Sequence, residues 1–157
     1  MTSNDAATDF KGRKFVITRE YKAPRALVFK AWTDPKLLLK WWGPDGFTNP
    51  VCEWDPKPGN SIYVVMRGPD GTDFPMGGTF TEVVSPERLV FSCGAMDGNR
   101  KLLFEFLHTV LFTEAKGRTT VTVKSVVTMT TPNVGMYIGG YERGMTQSLD
   151  RLAMLVE

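Results

Sequence analysis

Apolar and polar residues alternate from Lys14 to Tyr21, with Phe15, Ile17 and Tyr21 on one face and Val16, Thr18 and Glu20 on the other. That period of two predicts a strand with one face buried. Arg19 falls on the apolar face and needs a partner, because an unpaired buried charge is costly. Glu53 and Glu82 are the candidates, and a structural ion pair is a simpler reading than recognition of a ligand carboxylate. The period then changes. Leu27, Val28, Ala31 and Trp32 recur at helical spacing behind Pro24, and Asp34-Pro35 restarts the pattern as an N-cap with a first-turn proline. Leu37, Leu38, Trp41 and Trp42 continue that second short helix until Gly43-Pro44 stops it.

A series of strands follows, separated by turn residues. Phe47 to Trp54 is interrupted by Pro50, which places it at an edge or on a bulge. Ser61 to Arg67, Gly78 to Val84, Arg88 to Ser92, Leu102 to Thr113 and Thr119 to Met129 continue the set. Pro56 to Gly59, Gly68-Pro69-Asp70-Gly71, Ser85-Pro86 and Lys116-Gly117 supply the turns, and Ala95 to Asn99 reads as a loop. Beyond Pro132, residues Val134, Ile138, Tyr141, Met145, Leu149, Leu152 and Val156 form one apolar stripe at helical spacing. It reads as a single long helix. The pattern predicts an α+β protein, with an antiparallel sheet of about six to seven strands covered by the C-terminal helix. A helix about 10 Å wide cannot fill a wider concavity, so space for a ligand is expected between them.

Composition narrows the function classes. The 157 residues suit one domain, read here as residues 13–157 behind a flexible tail at 1–12. Net charge is +2, with 19 basic and 17 acidic residues and no basic run, so no nucleic-acid partner is expected. Met1 to Gly12 lacks a basic start followed by an apolar run, and no stretch is apolar enough to span a membrane. Two cysteines, Cys52 and Cys93, fit reduced thiols and a cytoplasmic location better than a disulfide framework.

Several motifs in order resemble a known family. They are Thr18-Arg19, Ala23-Pro24, Trp32-Thr33-Asp34-Pro35, Trp41-Trp42-Gly43-Pro44, Asp55 with Pro58-Gly59, and Arg67 to Gly71. Gly78-Thr79-Phe80, Pro86 to Val90, Gly117-Arg118-Thr119 and the C-terminal Gly144, Leu149 and Leu152 complete the set. Together they resemble the family named for the activator of the heat-shock protein 90 ATPase, within the START-like (SRPBCC) superfamily. The resemblance implies the helix-grip fold, with two short helices after the first strand. It also implies a cavity for lipids, polyketides or hormones, some members being cyclases or aromatases. The family name adds a chaperone partner and a role in stress response. The named activator has a further N-terminal domain, which is not expected within these 157 residues. Asn60 stands where the pattern has a second glycine, and Met145 where it has tryptophan.

Candidate chemistry is sparse. His108 is the sole histidine, and it shares strand parity with Phe104, Phe106, Val110 and Phe112. It is read either as a hydrogen-bonded core residue or as a polar group in the cavity able to contact a ligand or act as a base. Glu105, an odd number of residues away, faces the other side. No closely spaced Cys and His set suggests a metal, and no nucleotide or nucleophile motif occurs. No cofactor is expected. Gly135, Gly139, Gly140 and Gly144 either permit close approach of helix and sheet or loosen the first turns of the helix into a portal.

The expected function is binding of a small apolar or amphipathic molecule, lined by Trp42, Met66, Phe80, His108, Phe112, Tyr141 and Met145. The alternatives are a cyclase or hydrolase using the same cavity, or a chaperone-partner module. The chain is expected to be a monomer or weak homodimer.

Overall fold

The computed structural model describes residues 10–157. Most of the expected tail, residues 1–9, lies outside the described residues. From Phe10 onward the chain is attached to the sheet, with Gly12 N donating to Val127 O at 2.8 Å and Val127 N donating to Arg13 O at 2.9 Å.

The element order is β1 (Lys14–Tyr21), α1 (Arg25–Thr33), α2 (Pro35–Trp41), β2 (Thr48–Glu53), β3 (Ser61–Arg67), β4 (Asp73–Val84), β5 (Arg88–Ala95), β6 (Phe104–Ala115), β7 (Arg118–Thr130), α3 (Gly135–Gly139) and α4 (Tyr141–Val156). All seven strands form one antiparallel sheet in the order β1-β7-β6-β5-β4-β3-β2. The Asp34 carboxylate accepts from Lys36 N at 2.9 Å and caps α2 as expected. β2 is an edge strand whose register slips between Thr48 and Val51, around Pro50. Proline has no N–H to give the ladder, so both expected consequences occur together. Lys116 and Gly117 both have positive φ, at 55° and 75°, and close the longest hairpin.

Two expectations need correction here. β4 begins at Asp73, five residues before the expected Gly78. Glycines and a proline obscure its alternation, and where the neighbouring strand's backbone comes closest only glycine fits. A Cβ on Gly78 would meet Ser92 O at 1.8 Å, and one on Gly94 would meet Phe104 O at 1.7 Å. The C-terminal stripe, moreover, is carried by two helices rather than one. The chain breaks at Gly139-Gly140 between α3 and α4, where two adjacent glycines weaken the helix. The stripe survives the break: Val134, Ile138, Met145, Leu149, Leu152 and Val156 are all buried.

The concave face holds two apolar clusters. One is dominated by Trp32, Trp41, Trp42, Trp54, Phe80, Phe91 and Phe112, closed by α1, α2 and the later turns of α4. Two of its indoles are fixed by hydrogen bonds to backbone, with Trp41 Nε1 donating to Ala31 O at 3.0 Å and Trp54 Nε1 to Trp32 O at 2.8 Å. The other cluster contains Phe104, Phe106, Val127, Val134 and Ile138, beneath α3. Tyr141 packs against both.

Candidate functional site

Where α3 and the start of α4 take over the cover from the tryptophan cluster, the packing opens. A cavity of about 340 Å³ lies there, lined mostly by apolar side chains. β3 contributes Met66, β4 Met76, and β6 Phe104 and Phe106, while Trp42 to Phe47 form one wall. Met136, Tyr137, Tyr141 and Met145 descend from the broken helix. Met136 and Tyr137 are 81% and 42% exposed, which puts them at the rim. The volume is at the low end of small-molecule sites.

Of the seven expected lining residues, Trp42, Met66, His108, Tyr141 and Met145 are brought together on this wall. Phe80 and Phe112 are not. Phe80 is clamped between Trp54, at a ring distance of 4.9 Å, and Phe91, at 5.9 Å. Phe112 shares the face of His108, but four residues along a strand amount to about 13 Å. It packs instead on Phe29, at 5.0 Å, and Trp32, at 6.1 Å. Parity identified the face correctly, and the tryptophans then filled that part of it.

One polar group of the wall stands out. His108 on β6 and Ser125 on β7 are direct register partners, and His108 Nδ1 lies 2.7 Å from Ser125 Oγ. Ser125 Oγ is in turn 2.7 Å from the Tyr141 hydroxyl, which lies 3.4 Å from the same Nδ1. The imidazole stacks on Phe106 at 5.5 Å and packs against Phe91 at 5.0 Å. Burial favours its neutral form and pushes its pKa down to about 3. Burial likewise holds the Tyr141 phenol and the Cys93 thiol protonated, raising both well above their ordinary values. Ser125 carried no expectation from the sequence. Only the hairpin register places it behind the histidine.

The wall from Trp42 to Phe47 is pinned by Arg151 of α4. Its guanidinium donates to the carbonyls of Lys40, Gly43, Pro44 and Phe47 at 3.0–3.2 Å. Ser148 Oγ accepts from Gly43 N and donates toward Gly43 O, each at 3.0 Å. Arg19 corrects another expectation. It pairs with Asp150 on α4, not with Glu53 or Glu82, because its face of β1 meets that helix. Glu82 is bound to Arg88 at 2.8 Å instead. Among the described residues no three His, Cys, Asp or Glu side chains converge as a metal site. No described helix is long and apolar enough to cross a membrane.

Residues 22–157 match the family described as Activator of Hsp90 ATPase homolog 1-like protein. The chain belongs to that family. Among solved structures, a protein of Arthrobacter aurescens is 28% identical with a TM-score of 0.80, over 91% of this chain and 85% of its own. A Mycobacterium smegmatis protein is 25% identical with a TM-score of 0.79, over 92% and 90%. One from Chromobacterium violaceum is 26% identical with a TM-score of 0.76, over 92% and 96%. Among curated proteins, none matches the chain.

Proposed function

We propose that this member of the family is a small-molecule binding protein that holds a mainly apolar ligand between the sheet and the broken C-terminal helix. The observation that carries the reading is the cavity of about 340 Å³, lined mostly by apolar side chains and without a charged one, with His108 on its wall. Five of the residues expected from the sequence meet on its wall. Base catalysis in the same cavity is a weaker reading, because a general base works best with a pKa near the operating pH, whereas His108 is pushed down to about 3. Residues 13–157 act as one domain in this reading. Free thiols at Cys52 and Cys93 suit a reducing compartment such as the cytoplasm.

Native mass spectrometry of the purified protein tests the proposal. The expected result is a bound small molecule that is released on denaturation, or one equivalent of an apolar dye taken up when the protein is stripped. No adduct and no saturable dye binding would end it. Family membership favours a second reading, a chaperone partner. Reproducible stimulation of the heat-shock ATPase by micromolar protein, with no small molecule bound, would put that reading first.

A further inference from the structure

A neutral histidine carries one N–H and one lone pair. At His108 the Nδ1 side is occupied by Ser125 and Tyr141. The fixed geometry of the ring turns Nε2 away from that pair, and Nε2 makes no hydrogen bond with any described residue. Yet His108 is only 3% exposed, and it forms part of the cavity wall. With Nδ1 taken, Nε2 is the ring atom left to meet a cavity occupant. Of the other polar side chains on the wall, Ser148 is spent on Gly43, Tyr137 lies out at the rim, and Cys93 offers only a weakly polar thiol.

Among the described residues, no Asp, Glu, Lys or Arg side chain lines the cavity. A charged ligand would therefore be buried without a counter-ion, at a large cost in free energy. We infer that the cavity selects an uncharged apolar ligand bearing a hydroxyl or a carbonyl, which seats on His108 Nε2. This deepens the binding reading above and rests on it.

The relay behind the ring explains why either group serves. In one arrangement the Tyr141 hydroxyl donates to Ser125 Oγ, Ser125 donates to Nδ1, and Nε2–H offers a donor that a carbonyl accepts. In the other, Nδ1–H donates to Ser125, Ser125 donates to the Tyr141 oxygen, and Nε2 accepts from a hydroxyl. The two 2.7 Å contacts suit both directions, since each hydroxyl can donate or accept. The ligand's polar group decides which tautomer is held.

The test uses the unmodified protein and five probes sharing one ring system, titrated at about pH 7: 2-naphthol, methyl 2-naphthyl ketone, 2-methylnaphthalene, 2-naphthoate and 2-naphthylmethylamine. The naphthol and ketone should bind best. The hydrocarbon should bind roughly tenfold more weakly for want of one hydrogen bond. The carboxylate and the ammonium should be weaker by about 100-fold or more. Because His108 is the only histidine, its ring nitrogens are resolved without assignment after ¹⁵N-histidine labelling. The ketone should move the proton toward Nε2 and the naphthol toward Nδ1. Charged probes binding as well as neutral ones, or tight binding with His108 nitrogens unmoved, would overturn the inference while leaving a binding cavity. Failure of every probe, the hydrocarbon included, would remove the binding reading itself and this inference with it.

Discussion

The Tyr21 hydroxyl donates to the carbonyl of Leu149 at 2.8 Å, joining the end of the first strand to the middle of α4. Both residues are almost fully buried. The bond thus fixes the helix axially over the sheet, while the apolar stripe fixes only which side faces down. Tyr21→Phe keeps the ring and removes that tie. It should lower stability by about 0.5–1.5 kcal/mol, read as a shift in urea midpoint with unchanged slope. A loss below about 0.3 kcal/mol would show that packing alone sets the helix position.

His108 makes folding sensitive to mild acid. Its folded pKa, about 3, lies below the ordinary value of 6.5, so between those values the unfolded chain binds the extra proton. The stability it contributes is complete above about pH 6.5 and declines as pH falls toward 3. The slope there is about 1.4 kcal/mol per pH unit, or roughly 2 kcal/mol lost by pH 5. Denaturant midpoints taken from pH 7 to pH 5 should show this fall in the unmodified protein and a much shallower one in His108→Gln. Equal slopes in both would mean that His108 is not held neutral by the fold.

Met145 stands on the cavity wall, at a position where the sequence resemblance implies tryptophan. A thioether is slimmer and more adaptable than an indole. Met145→Trp should therefore fill existing space and change stability by less than about 1 kcal/mol, short of the 1–3 kcal/mol typical of overpacking a solid core. It should also weaken bulky apolar probes more than small ones, as read by titration with graded dyes. A destabilisation above roughly 3 kcal/mol would mean that no usable space lies beside Met145.

Arg151 binds the segment that walls the cavity, and hydrogen bonds to a charged donor are worth about 1.5–3 kcal/mol. Arg151→Met, which keeps most of the apolar stem, should destabilise the protein by about 2 kcal/mol. It should loosen probe binding as the Trp42–Phe47 wall relaxes. Faster hydrogen exchange confined to residues 40–47 would locate the effect, whereas unchanged exchange there would show that the wall holds without the clasp.

The local pattern by itself determined the main strands and helices, the two short helices with their Asp34 cap, an edge or a bulge at Pro50 and the buried face of the C-terminal stripe. These follow from period and turn chemistry, which act over a few residues. It also placed Trp42, Met66, His108, Tyr141 and Met145 on inward faces. Periodicity could not locate the start of β4, because Gly78 answers to a neighbouring strand's backbone and Gly77 to the Met96 side chain, not to a sequence period. Nor could it locate the break at Gly139-Gly140, since a stripe can continue across two helices. Only the tertiary structure divided the concave face into a filled part and an empty one. Phe80 and Phe112 are as apolar and inward as Met66, yet four tryptophans, from α1, from the end of α2 and from just beyond β2, occupy their surroundings. The same holds for charge and proton. Arg19 found Asp150 and His108 found Ser125 because helix docking and strand register, set by the whole sheet, bring together residues that no local spacing relates.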